Sequence, residues 1–320
     1  MKALILWQLN EPLVFDEFPE PMLNGDEVIV ELKAAAFNRR DFWITKGMYP
    51  GIVFPTVLGS DGAGFCEGKE VLIYPAAGWG ANSTFQSDGF SILGMPDHGC
   101  FAERVAVSRN AIFEKPEHLN WYQAAALPLA GLTAYRCLFS RAQLQKRDRV
   151  LISGIGGGVA LLACQFALAN GNEVFVTSGH DEKILKAKEM GASGGVNYHS
   201  DHFSKSLLEM SGGFDVVIDS AAGKGFSELV KMMNPGGRIV FYGGTKGNIE
   251  SLNPQLIFWK QLSILGSTMG SPLEFESMLD FVNKHQIIPV VDEVFNLQNG
   301  NRALQKMSRG EQFGKLVLNI

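Results

Sequence analysis

The stretch Val150–Gly179, VLISGIGGGVALLACQFALANGNEVFVTSG, decides how the chain is read. From Val150 to Asn172 it holds no charged residue. A membrane span would explain that, and so would a strand and a helix buried together. A span needs roughly 20 mostly apolar residues in one helix. Here four glycines fall within positions 154–158, and each interior glycine costs a helix about 1 kcal/mol relative to alanine. The β-rich "RVLIS" comes before them, and the helical run "VALLACQFALA" and then "EVFVTS" come after. Strand, glycine turn, helix and strand make a βαβ unit. Its strands are apolar on both faces, as a buried parallel sheet requires. The helix N-terminus after such a turn offers free N–H groups and partial positive charge to a pyrophosphate.

The pattern continues outward from this unit. From Arg149 the strands "RVLIS", "EVFVTS", "GGVNY", "FDVVIDS", "RIVFYGG" and "LSILGST" alternate with "VALLACQFALA", "DEKILKAKEMGA", "FSKSLLEM", "GFSELVKMM" and "PQLIFWK". Six strands with intervening helices predict a doubly wound parallel sheet with right-handed crossovers. Residues 1–120 differ. Short β segments such as "KALILWQ", "EVIVELKAAAF", "EVLIYP" and "CFAERVAVS" are punctuated by glycine and proline, which predicts a compact barrel-like domain. The polar, glycine-rich segment Gly78–Gly99 reads as a functional loop or an insertion. "WYQAAALPLAGLTAYRCLFSRA" is helical in composition, with its proline marking a kink or break. In the tail, two helical runs and the strand "GKLVLNI" return to the first domain.

Bulk properties narrow the classes. A chain of 320 residues with 46% hydrophobic content is long enough for two domains with cores. A charged fraction of 19% excludes a disordered chain. A net charge of −5 and a pI near 5.7 argue against a nucleic-acid surface. Cys66, Cys100, Cys137 and Cys164 are far apart and include no C-x-x-C. This favours reduced thiols in a cytoplasmic enzyme over a disulfide framework or a zinc knuckle. The N-terminal "MKALILWQLNEPLVF" has too short an apolar run for a signal peptide and reads as a strand.

"GIGGGVALLACQFALANG" resembles the G-x-x-G-G-V-G-L-x-A-x-Q-x-A-x-x-x-G run of the zinc-independent quinone oxidoreductases, a branch of the medium-chain dehydrogenase/reductase superfamily. "NRRDFWITKGMYP", "GSDGAG", "AAALPLAGLTAY", "VVIDSAAG" and "GGRIVFYGG" extend the resemblance over nearly the whole chain. It implies an α/β protein with a GroES-like β-barrel catalytic domain over 1–121 and 268–320. A Rossmann domain, the six-stranded parallel sheet, would fill 122–267. The resemblance also sets the register of the turn as Gly154-x-x-Gly157-Gly158-Val159-Ala160, not Gly154-x-Gly156. Ala160 replaces the last glycine and still allows close helix–strand packing. Gly157, Gly158 and Val159 are then the implied pyrophosphate contacts.

The second strand of the sheet ends at Thr177, Ser178 and Gly179 without the carboxylate that would hold the ribose 2′-OH of NAD. Lys183 and Tyr198 stand where the family meets a 2′-phosphate, so NADP(H) is the expected cofactor. Ser178, Ser220, Ala221, Tyr242, Gly243, Gly244 and Gly270 follow strands of the sheet, where ligands of such sheets bind.

At the family's zinc-ligand positions stand Asn38, Ser60 and either Leu129 or Ala130. A catalytic zinc needs three protein ligands and an open position, so no metal and no zinc are expected. His199-x-x-His202 reads as a surface pair. Without a Lewis acid, alcohol oxidation is hard, whereas hydride addition to a quinone or an α,β-unsaturated carbonyl spreads charge over a conjugated system. Positioning and hydrogen-bond donors would carry the catalysis. The implied catalytic residues are Asn38 as a donor to the substrate oxygen, Trp43 as a stacking surface and Thr133 at the nicotinamide carboxamide. Asp41 and Asp61 are expected to hold loops. Tyr49 is either a proton donor or turn packing. "GAGFCEGKEVLIYP" shortens a hairpin relative to the family.

The expected function is NADPH-dependent reduction of a small electrophile, with no nucleic-acid or membrane partner. The alternatives are an alcohol dehydrogenase-like or enoyl reductase activity, or a low-turnover nicotinamide-binding sensor. The apolar edge strand "QLSILGS" implies a homodimer.

Overall fold

The computed structural model describes residues 1–320 and contains two compact units. One is Met1–Leu132 with Gly270–Ile320, the other Thr133–Met269. The first border falls after Leu132 and not after 121, because helix Trp121–Ala125 packs on strands Glu27–Ala36 and Asp61–Cys66. The second falls before Gly270 and not before 268. The Gly270 carbonyl accepts the Tyr74 hydroxyl at 2.7 Å, which ties that residue to the first unit.

The first unit is organised by the strand Glu27–Ala36. It pairs antiparallel with Asp61–Cys66, Arg104–Ser108 and Lys315–Asn319. Val28, Val30, Leu32 and Ala34 point inward with the period of two that a half-buried strand requires. A register shift between Leu32 and Ala34 marks the irregularity expected where a sheet curls. Opposite it, a Cβ at Gly64 would lie 2.0 Å from the Glu31 carbonyl oxygen, so the backbones meet there without side chains between them. The register then determines a meeting point. Ala36 opposes both Asp61 and Val317. Continuing the antiparallel pairing brings Lys315 opposite Asn38, and the Phe37 N–H donates to the Leu316 carbonyl at 2.9 Å.

The shortened hairpin is a two-residue turn. Glu67 and Gly68 have φ of 50° and 80°, the left-handed pair whose twist suits adjacent strands. Within Gly78–Gly99, Ser91–Ile92 pairs with Ala76–Ala77. Gly99 packs so closely that a Cβ would fall 2.1 Å from the Gly59 carbonyl oxygen. The segment is thereby held against the GSDGAG motif.

The second unit is a six-stranded parallel sheet. Its order is Gly194–Asn197, Glu173–Ser178, Arg149–Ile152, Phe214–Asp219, Met233–Phe241, Ser263–Gly266. The chain enters at Arg149–Ile152, winds out to one edge, then returns to fill the other side. That reversal opens a crevice at the carboxyl ends of the central strands. Val150, Leu151 and Ile152 are fully buried, as is most of helix Gly158–Ala169, which accounts for the uncharged stretch. No helix is long and apolar enough to cross a membrane. The helical segment after Asn120 does break at its proline: Trp121–Ala125 ends, and a second helix starts with Pro128 as its first residue, where its missing N–H costs nothing.

Candidate active site

In the first unit, Asn38 is the extended residue that starts helix Arg39–Thr45, an element too short for hydrophobic periodicity to reveal. Its backbone N–H donates to Asp41 Oδ2 at 2.7 Å. Its side-chain Nδ2 donates to Asp61 Oδ2 at 2.9 Å, and its Oδ1 accepts from Lys315 Nζ at 2.6 Å. Lys315 Nζ also donates to Asp61 Oδ2 at 2.8 Å, and Asp61 Oδ1 accepts the Leu129 N–H at 2.8 Å. Asn38, Asp61 and Lys315 are 7%, 0% and 4% exposed. An ammonium only donates, so the Asn38 oxygen must face Lys315 and the NH₂ must face Asp61. One N–H of that amide is left to donate elsewhere.

Asp41 and Asp61 do hold backbone in place. Asp41 is fully buried with Oδ1 unpartnered, and burial pushes its carboxyl up to about 6. Trp43 lies half-buried on the same helix, edge-on to Phe42 at 5.0 Å. The Tyr49 ring faces the Arg40 guanidinium at 5.6 Å, a packing arrangement.

Sequence reasoning missed Lys315 and Arg40. Lys315 had a signal, a lone charge at the head of the apolar strand "KLVLN". Arg40 lay inside the quoted motif "NRRDFW" but was assigned no role. Arg40 is in fact buried, and its Nη1 donates to Ser60 Oγ at 2.8 Å and to the Leu93 carbonyl at 3.0 Å.

In the second unit, the glycine turn divides its labour. Gly154 and Gly156 have φ of 74° and 134°, which only glycine adopts readily. Gly156 is therefore a backbone requirement that the Gly154-x-x-Gly157 frame passes over. Gly157 caps the helix with φ of −82°, and a Cβ there would meet open space. The first helical N–H to find a partner is that of Leu161, bonded to the Gly157 carbonyl at 3.0 Å. The earlier N–H groups, on Gly158, Val159 and Ala160, have no intrahelical acceptor. Room at Gly157 and free donors behind it fit the pyrophosphate of a dinucleotide.

Around the end of strand Glu173–Ser178, Lys183 stands by the glycine turn and Tyr198 by Ser178 and Gly179. A Cβ at Gly156 would lie 2.9 Å from Lys183 Cδ and 3.3 Å from its Nζ. A Cβ at Gly179 would lie 2.7 Å from the Tyr198 hydroxyl and 3.1 Å from His199 Nε2. The Tyr198 N–H donates to the Ser178 carbonyl at 3.0 Å. The nearby carboxylate, Asp181, already accepts from Asn197 Nδ2 at 2.9 Å.

Further along the same carboxyl edge, Asp219 Oδ2 accepts the Ala221 and Ala222 N–H groups at 3.2 and 2.7 Å. Gly243 passes so near Ser220 that a Cβ would sit 2.4 Å from its carbonyl oxygen. Burial holds the Tyr242 phenol above its usual range. Tyr242, Gly243 and Gly244 line a cavity of about 380 Å³ with Ala222 and Ser267. Of the remaining expected residues, Thr133 is buried at the start of this unit, whereas Gly270 belongs to the first.

No group of three or more His, Cys, Asp or Glu is placed to hold a metal ion.

Comparison with known proteins gives matches along the chain. The family described as zinc-binding dehydrogenase matches residues 158–284, and the alcohol dehydrogenase GroES-like domain matches 24–117. A zinc-type alcohol dehydrogenase-like protein of Leptosphaeria maculans is 35% identical, over 98% of this chain and 96% of that one. A solved NAD-dependent alcohol dehydrogenase superposes with a TM-score of 0.94 at 33% identity, over the full length of both chains. The quinone oxidoreductase of Thermus thermophilus, solved alone and with NADPH, gives 0.84 at 27% identity, also over both full lengths.

Proposed function

Since the chain belongs to the medium-chain dehydrogenase/reductase superfamily, in its quinone oxidoreductase-like branch, and is thus an oxidoreductase, we propose that it reduces quinones or α,β-unsaturated carbonyls with NADPH and without zinc. The observation that carries the cofactor choice is the end of strand Glu173–Ser178. Lys183 lies beside Gly156 and the Tyr198 hydroxyl beside Gly179, and Asp181 is engaged by Asn197. A cation and a phenol suit a 2′-phosphate, whereas a 2′-OH calls for a free carboxylate.

The bound dinucleotide supplies a hydride. The chain's residues bind and orient the reactants. The N–H groups of Gly158 and Val159 and the space at Gly157 hold the pyrophosphate. Ser220, Ala221, Tyr242, Gly243, Gly244, Gly270 and Thr133 flank the cofactor. Trp43 offers a flat apolar surface to a conjugated ring, and Asn38 donates its remaining N–H to the substrate oxygen. No residue pair stands out as proton donor, so water supplies the proton.

A second reading is an NADH-dependent, alcohol dehydrogenase-like activity, favoured by the 33% identity to a NAD-dependent enzyme. A weak-turnover nicotinamide sensor is a third. Absorbance of NADPH and NADH, followed with quinones, enones and aldehydes, separates them. Lys183→Ala should weaken NADPH at least tenfold and leave NADH within about twofold. An unchanged NADPH dissociation constant would end the NADPH reading. The half-exposed edge strand Ser263–Gly266, beside Phe258 and the 84%-exposed Trp259, supports a homodimer. A monomeric mass by light scattering would refute it. Four unbridged cysteines suit the reducing cytoplasm.

A further inference from the structure

Arg40 has more donors than partners. It is 8% exposed, yet both of its hydrogen bonds leave from Nη1 and both end on neutral atoms, Ser60 Oγ and the Leu93 carbonyl oxygen. Ser60 Oγ is itself bonded to the Leu93 carbonyl at 2.8 Å. Arg40 Nε is buried and donates to nothing. A guanidinium has five N–H donors, and a buried charge is normally paired with an opposite one. Neither of the two nearby carboxylates, Asp41 or Asp61, is hydrogen-bonded to Arg40, although Asp41 Oδ1 has no partner of its own. Asp61 takes Asn38, Lys315 and the Leu129 N–H, while Asp41 takes the Asn38 N–H. The Tyr49 ring lies against the guanidinium at 5.6 Å, which favours the charged form and fixes its plane. The result is an oriented cation, two residues from Asn38, whose guanidinium has no carboxylate in hydrogen-bond contact.

We propose that Arg40 is the oxyanion-binding group of the site: it donates to the carbonyl oxygen of the conjugated acceptor and holds the negative charge that reduction places there. This rests on the reductase reading. As hydride bonds to carbon, the π electron pair of the acceptor moves onto its oxygen. The acceptor then takes one proton from water, gaining two electrons and two hydrogens in all, while the reduced nicotinamide is oxidised. Arg40 keeps its proton throughout, because a guanidinium does not deprotonate in this range. It acts by charge and by donors aimed in advance at one oxygen.

Two measurements test this in the full chain. In steady-state reduction of an enone panel, Arg40→Met should lower kcat about 100-fold with every acceptor, with the NADPH dissociation constant unchanged. Arg40→Lys should recover part of the loss. Independently of turnover, absorbance reports whether a bound nitrophenol is ionised. The wild type should hold it as the phenolate below its solution pKa, and Arg40→Met should abolish that shift.

If the wild type reduces no acceptor but Arg40 still fixes the phenolate, the reductase reading fails and the anion site stands. If Arg40→Met folds with kcat within threefold of wild type and an unchanged phenolate shift, the proposal is overturned. Should Arg40→Met not fold, Arg40→Lys decides: loss of at least half the phenolate shift supports the proposal, and none overturns it.

Discussion

Lys315 carries a charge into a site where water scarcely reaches, and Asp61 meets it at 2.8 Å. Replacing such a pair with apolar residues is often tolerated, but removing one partner strands the other. Lys315→Met should therefore destabilise the protein by about 3–5 kcal/mol in urea unfolding. Lys315→Met with Asp61→Asn should recover a substantial part. A single variant within about 1 kcal/mol of wild type would mean that the pair is not coupled to folding.

Asp41 makes a different prediction. Its carboxyl titrates near 6 in the fold, against 3.8 when unperturbed, because burial disfavours the charge. Between those values the native state holds a proton that the unfolded chain has released. This group's stabilising effect is therefore full below about pH 4, declines as pH rises to about 6, and changes no further above that. Asp41→Asn keeps an acceptor for the Asn38 N–H and cannot ionise. Its stability relative to wild type should rise by up to about 3 kcal/mol between pH 4 and 7. A flat difference would contradict the assignment. Residue identities at these positions were legible, and Asn38 was singled out. The partnership with Lys315 was not, because it depends on strand register between residues 277 positions apart.

At the scale of elements, the glycine turn separates conformation from space. Gly156→Ala would force an alanine to φ of 134° and push it against the Lys183 stem. It should cost about 1–3 kcal/mol of stability and weaken the dinucleotide at least tenfold. Gly157→Ala faces open space at an ordinary φ, so its thermal midpoint should move little while dinucleotide affinity falls. If Gly156→Ala binds the dinucleotide as the wild type does, the strained turn is not part of the binding surface. The βαβ unit was legible because glycine clustering and a change of hydrophobic period are local signals. Which glycine is strained was not, because φ leaves no mark on four glycines clustered within five positions. Helix Arg39–Thr45 escaped notice because seven residues span too few turns to show an apolar face.

At the scale of the whole molecule, the first unit is discontinuous in sequence. Its strand Lys315–Asn319 lies between Glu27–Ala36 and Val291–Asn296. Ending the chain at Gly314 removes an interior strand together with the Asp61 counter-ion. Such a chain should show no cooperative unfolding of the first unit, and circular dichroism against temperature would detect it. A sharp transition at the wild-type midpoint would refute this. The two-unit plan was legible from the change of pattern near Trp121. The border was not, because helices on either side of it are similar in composition and only packing assigns them.

That interior strand also has a consequence in time. Synthesis delivers Asn38 and Asp61 well before the ammonium group they share, which stands 254 positions beyond Asp61. While the ribosome is still extending the chain, the acidic pocket is open and the surrounding sheet lacks one of its central members. Pairing of strand Lys315–Asn319 therefore completes the sheet and the site in one event: the site acquires its cation only when the strand that carries it has emerged.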